Sequence, residues 1–166
     1  MQVLIMYFSK TGNTKLLAEQ IAKGVESQKG VKCVIKPAGE VTKEDFLGSD
    51  AIVAGSPVYF GSMAAELKDV FDGFVGLRKK MENKIGAAFA TSGDGSGGKE
   101  TTVFSIIQAM LIYGMIIVGD PMDATGHYGV TCVGAPDAET GKNALKFGRR
   151  IADLAAKLEA WGKTNI

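Results

Sequence analysis

Residues 3–14 read VLIMYFSKTGNT. Five of the first six are apolar, and the run stops at a turn built from Ser9, Lys10, Thr11, Gly12, Asn13 and Thr14 before an amphipathic helix begins. An apolar run that ends on small hydroxyl residues ahead of a helix is the pattern of a buried parallel strand delivering its carboxyl end to a helix N-terminus. The first N–H groups of a helix have no intrahelical partners and carry the positive end of its dipole, so the junction is an anion site. The hydroxyls of Ser9, Thr11 and Thr14, the Asn13 amide and the backbone around Gly12 offer neutral donors alone, which suits a phosphomonoester held in place rather than transferred. The same hydroxyls also fit a helix cap, and this stretch by itself does not separate the two readings. Neither G-x-x-x-x-G-K-[ST] nor G-x-G-x-x-G is present in it. Lys10 and Lys15 read as solvated.

Outward from this stretch, strand-like and helix-like segments alternate. Ala18, Ile21, Ala22 and Val25 keep helical spacing, and Gly30 closes that helix. Residues 31–36 (VKCVIK) form a short β-branched strand ended by Pro37 and Gly39, after which Thr42 can cap a turn of helix. Residues 50–55 (DAIVAG) make a third strand, and Met63, Leu67, Val70, Phe71 and Phe74 trace the next helix. Residues 85–90 are the fourth strand; Val103, Ile107, Met110, Leu111 and Gly114 trace a helix after it. Met115 to Val118 begins a last strand that Gly119, Asp120 and Pro121 interrupt, with Val130 to Val133 as its continuation. Phe147, Ile151, Leu154, Ala155 and Leu158 define a terminal helix ending near Trp161. Alternating strands and helices predict an α/β fold: a parallel sheet with helices on both faces, joined by right-handed crossovers. Ligands of such sheets bind beyond the carboxyl ends of the strands.

Bulk properties bound the function. The length fits one domain over residues 1–166. Lys+Arg 19 against Asp+Glu 18 leaves no net field to attract nucleic acid. The richest apolar run, residues 103–118, is broken by Ser105, Gln108 and Gly114, so it is no membrane span of roughly 20 residues. The first ten residues lack the basic region and cleavage site of a signal peptide, and a cytoplasmic location is expected. Cys33 and Cys132 sit in apolar segments without metal-ligand spacing and read as buried free thiols; no metal site is expected.

Two further strand ends carry loops whose composition folding alone does not explain. One is Ser56-Pro57-Val58-Tyr59-Phe60-Gly61-Ser62, and the other is Thr91-Ser92-Gly93-Asp94-Gly95 with the glycines that follow. The S-x-T-G-N-T turn resembles the FMN-phosphate loop of flavodoxins. The stretches Gly55–Met63 and Gly97-Gly98-Lys99-Glu100 resemble the G-T-P-x-x-F-G-x-M and G-G-Q-E segments of WrbA-type NAD(P)H:quinone oxidoreductases. The resemblance implies a flavodoxin-like three-layer sandwich with a five-stranded parallel sheet in the order 2-1-3-4-5, and FMN as cofactor. By the same resemblance Ser9, Thr11, Gly12, Asn13 and Thr14 hold the phosphate. Pro57, Val58, Tyr59, Phe60 and Gly61 line the isoalloxazine ring, and Thr91, Ser92, Gly93, Asp94 and Gly95 close over its pyrimidine edge.

Each of these roles has a plainer alternative. Tyr59 and Phe60 supply a flat wall or pack in the core. Asp94 near the ring disfavours added negative charge and lowers its potential, or serves the turn that Asp-Gly commonly makes. His127, in T-G-H-Y-G where the WrbA-type enzymes have T-P-Y-G, is a catalytic candidate because histidine exchanges protons near neutral pH, or it is a solvated loop residue. The chain departs from those enzymes in the short Lys36–Asp50 connection, in residues 74–84 without their tryptophan stretch, and in Ile112 and Tyr113 where some carry paired histidines. These segments leave the enzymes' tetramer and quinone turnover unsupported; a homo-oligomer is compatible with the sequence and not required by it.

Three functions are therefore expected, in order. The first is an oxidoreductase passing electrons from NAD(P)H to quinones or similar small molecules. The second is a flavodoxin-type electron carrier between redox protein partners, although its charge of +1 gives none of the acidic steering such carriers use. The third is an FMN-binding regulatory or structural module.

Overall fold

The computed structural model describes residues 1–164. The strands are β1 (Gln2–Tyr7), β2 (Lys32–Pro37), β3 (Ala51–Pro57), β4 (Ile85–Ser92), β5 (Ile116–Ile117) and β6 (Thr131–Val133). The α-helices are α1 (Asn13–Glu26), α2 (Lys43–Gly48), α3 (Ala65–Gly73), α4 (Lys99–Ile112) and α5 (Ala138–Thr164). All strand pairs are parallel, in the order β2-β1-β3-β4-β5 expected of a flavodoxin-like sheet. The fifth position is shared. β5 pairs with Ile85 and Gly86 at the start of β4, β6 pairs with Ala90 to Ser92 at its end, and an excursion runs between them. Gly119 and Pro121 bring about the interruption, since proline cannot donate to a ladder.

The central strands β1, β3 and β4 are buried on both faces, which is why they read as continuous apolar runs, whereas β2 at the edge is only half-buried. Along β1, Val3, Ile5 and Tyr7 point to a core beneath α1 and α5, while Leu4 and Met6 point to one beneath α2, α3 and α4. Phe89 and Phe147 anchor the first core and Phe46 the second, all fully buried. Each contributes roughly 1.5–3 kcal/mol of transfer free energy. The helices α1 and α5 lie backbone to backbone, because Gly24 faces the Leu145 carbonyl and Gly148 faces that of Ile21 with no room for a Cβ.

Thr42 caps α2 as expected, accepting the Asp45 N–H at 3.1 Å while the Asp45 carboxylate takes the Thr42 N–H at 2.9 Å. The face of α4 differs from its expected one. Val103, Ile106 and Met110 are buried, but Leu111 is 57% exposed. The helix is apolar nearly all round, so periodicity alone does not select its inner face. Cys132 is buried and Cys33 half-buried, both as free thiols. No helix among the described residues is long and apolar enough to cross a membrane.

Candidate functional site

Register brings the three loops together. Tyr7 pairs with Gly55, and Pro57 with Thr91, so β1, β3 and β4 end side by side. Beyond the ladders, Phe8 N–H donates to the Gly55 carbonyl at 3.0 Å and Val58 N–H to that of Thr91 at 2.8 Å. The hydroxyls of Thr14 and Thr91 meet at 2.7 Å, both residues buried, which ties the first loop to the third. Between them lies a cleft of about 550 Å³. Thr11 and Asn13 line it from the first loop, Pro57, Val58 and Tyr59 from the second, and Thr91, Ser92 and Gly93 from the third.

At the start of α1 the two readings of the sequence coexist. Ser9 Oγ accepts the Lys15 N–H at 3.2 Å and the Gly12 carbonyl accepts that of Leu16 at 2.9 Å. Ser9 thus satisfies one N–H of the first turn from outside the N-cap position, which Gly12 holds without a side chain. The N–H groups of Asn13 and Thr14 have no protein acceptor among the described residues, and they stand at the positive end of the helix dipole. Gly12 turns the chain into this arrangement at φ 95, in the left-handed region, with open space where a side chain would stand.

The second loop is a two-residue hairpin. Tyr59 and Ser62 exchange both backbone hydrogen bonds at 3.0 Å, and Phe60 and Gly61 between them have φ of 51 and 75. Positive φ at both central positions defines a type I′ turn, which favours asparagine and glycine; a phenylalanine there costs about 1–2 kcal/mol. Neither aromatic belongs to the core. Tyr59 is half-buried and meets Phe8 edge-on, ring centroids 6.1 Å apart, while Phe60 is fully exposed. Below the turn, Ser56 Oγ accepts the Ala64 N–H at 2.8 Å and donates to the Pro57 carbonyl at 2.7 Å.

In the third loop, the carboxylate of Asp94 accepts the N–H and hydroxyl of Ser96 at 2.9 and 3.0 Å. Those bonds hold its carboxyl below the usual range. Its charge therefore serves the turn. Asp94 and Gly95 are exposed and outside the cleft lining.

His127 is exposed, stands in the excursion and is not among the residues that line the cleft. Its neighbour Tyr128 packs on Phe104 of α4 at 4.6 Å, and Gly129 lies against the Ala88 carbonyl, in the middle of β4 rather than at its end. At the root of the same excursion Asp120 is buried with neither carboxylate oxygen hydrogen-bonded. Burial pushes its carboxyl up, opposed by the nearby Gly129 N–H and by the positive fields of His127 and Arg150.

Three cleft residues were not assigned from sequence. Phe8 continues β1 by one residue beyond its ladder, and Lys10 is exposed yet lines the cleft, so solvation and proximity to the site go together. Glu66, in the first turn of α3, carries no local sequence signal; only the path of the chain after Ser62 brings it to the cleft.

Residues 1–128 match the family described as NADPH-dependent FMN reductase. A flavodoxin of Aquifex aeolicus is 36% identical over 162 residues, covering 93% of this chain and 87% of the relative. An NAD(P)H dehydrogenase (quinone) of Gluconacetobacter diazotrophicus is 31% identical over 198 aligned residues, covering 96% of this chain and 99% of the relative. Among solved structures, a flavodoxin from the domain Archaea superposes with a TM-score of 0.78 at 27% identity, over 94% of this chain and 99% of that one. A flavodoxin, WrbA-like protein from Agrobacterium tumefaciens gives 0.80 at 20% identity, over 94% and 98%, a likeness of fold.

Proposed function

The chain belongs to the NADPH-dependent FMN reductase family, with FMN as its cofactor, and from that premise we propose that it is an oxidoreductase passing electrons from NAD(P)H to quinones or similar small acceptors. The residues fit the cofactor. The unpartnered N–H groups of Asn13 and Thr14, with the hydroxyls of Thr11 and Thr14, would hold the phosphate, and Ser9 and Gly12 shape that turn. Pro57, Val58 and Tyr59 would line the ring, with Phe60 and Gly61 forming the turn beyond, and Thr91, Ser92 and Gly93 would meet its polar edge. FMN, when bound, supplies a ring that takes up and releases one or two electrons. Phe8 and Tyr59 keep one side of the cleft apolar, and Lys10 and Glu66 place one charge of each sign in its lining. His127 takes no part in this proposal.

The observation that carries the enzyme reading is the match of residues 1–128 to a family described as NADPH-dependent FMN reductase, since the cleft of about 550 Å³ is the place of FMN under either reading. A carrier between redox proteins is the second reading, favoured by one specific finding. Aligning this chain of 166 residues with the quinone dehydrogenase takes 198 positions, so that relative has segments this chain lacks. Anaerobic mixing with NADPH or NADH, followed by a quinone, separates the two. The enzyme bleaches its flavin absorbance on the nucleotide and recovers it on the quinone. A carrier ignores the nucleotide and takes chemical reductant in two separate one-electron steps. Protein that gains no flavin absorbance from added FMN sinks both readings.

A further inference from the structure

The turn that presents Tyr59 to the cleft rests on the first turns of α4, on residues that do not themselves line the cleft. Gly98 precedes that helix in the left-handed region, φ 93; a Cβ there would lie 3.2 Å from the Cα of Gly61 and 2.9 Å from Thr101 Oγ1. One turn on, the Thr101 hydroxyl donates to the Gly98 carbonyl at 2.9 Å and stands 3.4 Å from where a side chain on Gly61 would begin. A further turn on, Ser105 Oγ accepts the Met63 N–H at 3.0 Å while donating to the Thr102 carbonyl at 2.7 Å. Spacings of three and four put Gly98, Thr101 and Ser105 on one helix face. They touch the hairpin at its tip, Gly61, and at its foot, Met63.

The hairpin needs such support. It is an isolated bridge, Tyr59 to Ser62, without flanking strands, and a two-stranded turn of that size does not hold itself in water. Phe60 adds backbone strain and, being fully exposed, no burial to offset it. We propose that Gly98, Thr101 and Ser105 form a seat that fixes the Tyr59–Ser62 turn in position to meet the flavin ring, with Gly98 the positioning residue that sets how far the turn stands into the cleft. A Cβ at Gly98 would stand 2.9 Å from Thr101 Oγ1 and 3.2 Å from the Gly61 Cα, so the hydroxyl must move and the turn must shift by a few tenths of an ångström, and the φ of 93 adds strain of its own. The proposal rests on the ring lying against Pro57 to Gly61.

The test compares FMN with riboflavin, which lacks the phosphate, on full-length apoprotein. Gly98→Ala is expected to weaken both flavins by the same factor, tenfold or more, and to shift the midpoint potential of bound FMN. Ser105→Ala is expected to do so more mildly, about threefold or more, beyond any fall in apoprotein thermal stability from leaving the Met63 N–H without its acceptor. Should Gly98→Ala fail to fold, Ser105→Ala decides, since it removes one acceptor from a half-buried position. The seat is overturned if both variants bind both flavins within twofold of wild type while Tyr59→Ala does not. It is equally overturned if affinity falls only in step with apoprotein stability. If Tyr59→Ala also binds both flavins normally, the seat falls together with the ring placement.

Discussion

Thr14 has one bond in the structure and one proposed role at the phosphate, and the two can be pulled apart. Its hydroxyl meets that of Thr91 at 2.7 Å, with both residues buried, at the start of a helix whose first N–H groups are unpartnered. A hydroxyl donates once and accepts twice, so Thr14 can accept from Thr91 and give its own proton to a phosphate oxygen. Thr14→Val keeps the shape and removes both bonds. It leaves the Thr91 hydroxyl buried without its partner, a penalty of about 1–3 kcal/mol, which lowers Tm by roughly 2–12 °C in a domain of this size. The lost bond to a charged phosphate is worth about 1.5–3 kcal/mol, or roughly 10- to 150-fold in FMN affinity.

Thr91→Val carries the same stability penalty but leaves the Thr14 donor in place, so FMN affinity should fall by less than in Thr14→Val, any loss being that of the ring's polar edge. In the double valine variant both partners are gone, and stability should recover most of the loss while affinity stays as low as in Thr14→Val. Calorimetric unfolding of the apoproteins and fluorescence titration with FMN measure the two quantities separately. Unchanged FMN affinity in Thr14→Val would refute the phosphate assignment. A double variant less stable than either single one would refute the reading of the pair as a mutually satisfied buried bond.

Other outcomes follow from the same structure. Gly148→Ala should destabilise by about 1–3 kcal/mol or more in urea unfolding, because its Cβ would meet Val25 N at 3.0 Å and the Ile21 carbonyl closer still; wild-type stability would contradict the close contact of α1 and α5. Phe60→Asn should raise apoprotein stability by about 0.5–1 kcal/mol, since asparagine tolerates the φ of 51 and no burial is lost with the exposed ring; a loss of stability would show the ring to be packed in solution. Asp120 sets a pH dependence of unusual sign. Its carboxyl is raised by burial, so the folded state holds the proton more tightly than the unfolded one, and the stability this contributes is full below the ordinary aspartate range and lost as pH rises through the raised value. Denaturation across pH should therefore show wild type losing ground to Asp120→Asn as pH increases, and parallel curves would argue against a buried, raised carboxyl.

Much of the site was legible in the chain because its parts are local. The S-x-T-G-N-T turn, the Ser56–Ser62 loop and the glycine-rich loop each follow an apolar strand, and parallel topology obliges the ends of β1, β3 and β4 to meet. The interruption of the last strand was written in Gly119 and Pro121. Less legible were positions whose environment comes from distant segments. Leu111 is apolar and exposed because α4 offers apolar side chains on nearly every side, and packing on β4 selects which of them are buried. Asp94 lies in the loop expected of it, yet its carboxylate is taken up by Ser96.

By itself, then, the sequence determined the order of elements, the parallel sheet and the small-residue turn at its edge, since apolar periodicity, turn chemistry and helix signals act over a few residues. Tertiary structure alone decided how that turn divides its labour, with Ser9 taking the Lys15 N–H while Asn13 and Thr14 keep their N–H groups free, because that depends on where each donor points. It also decided that Thr14 is held by Thr91, that Glu66 joins the cleft, that His127 does not, and that Gly98 backs the Tyr59 turn. These are contacts between segments far apart in the chain, set by how the strands align and how closely two backbones approach, and no local pattern of residues encodes them.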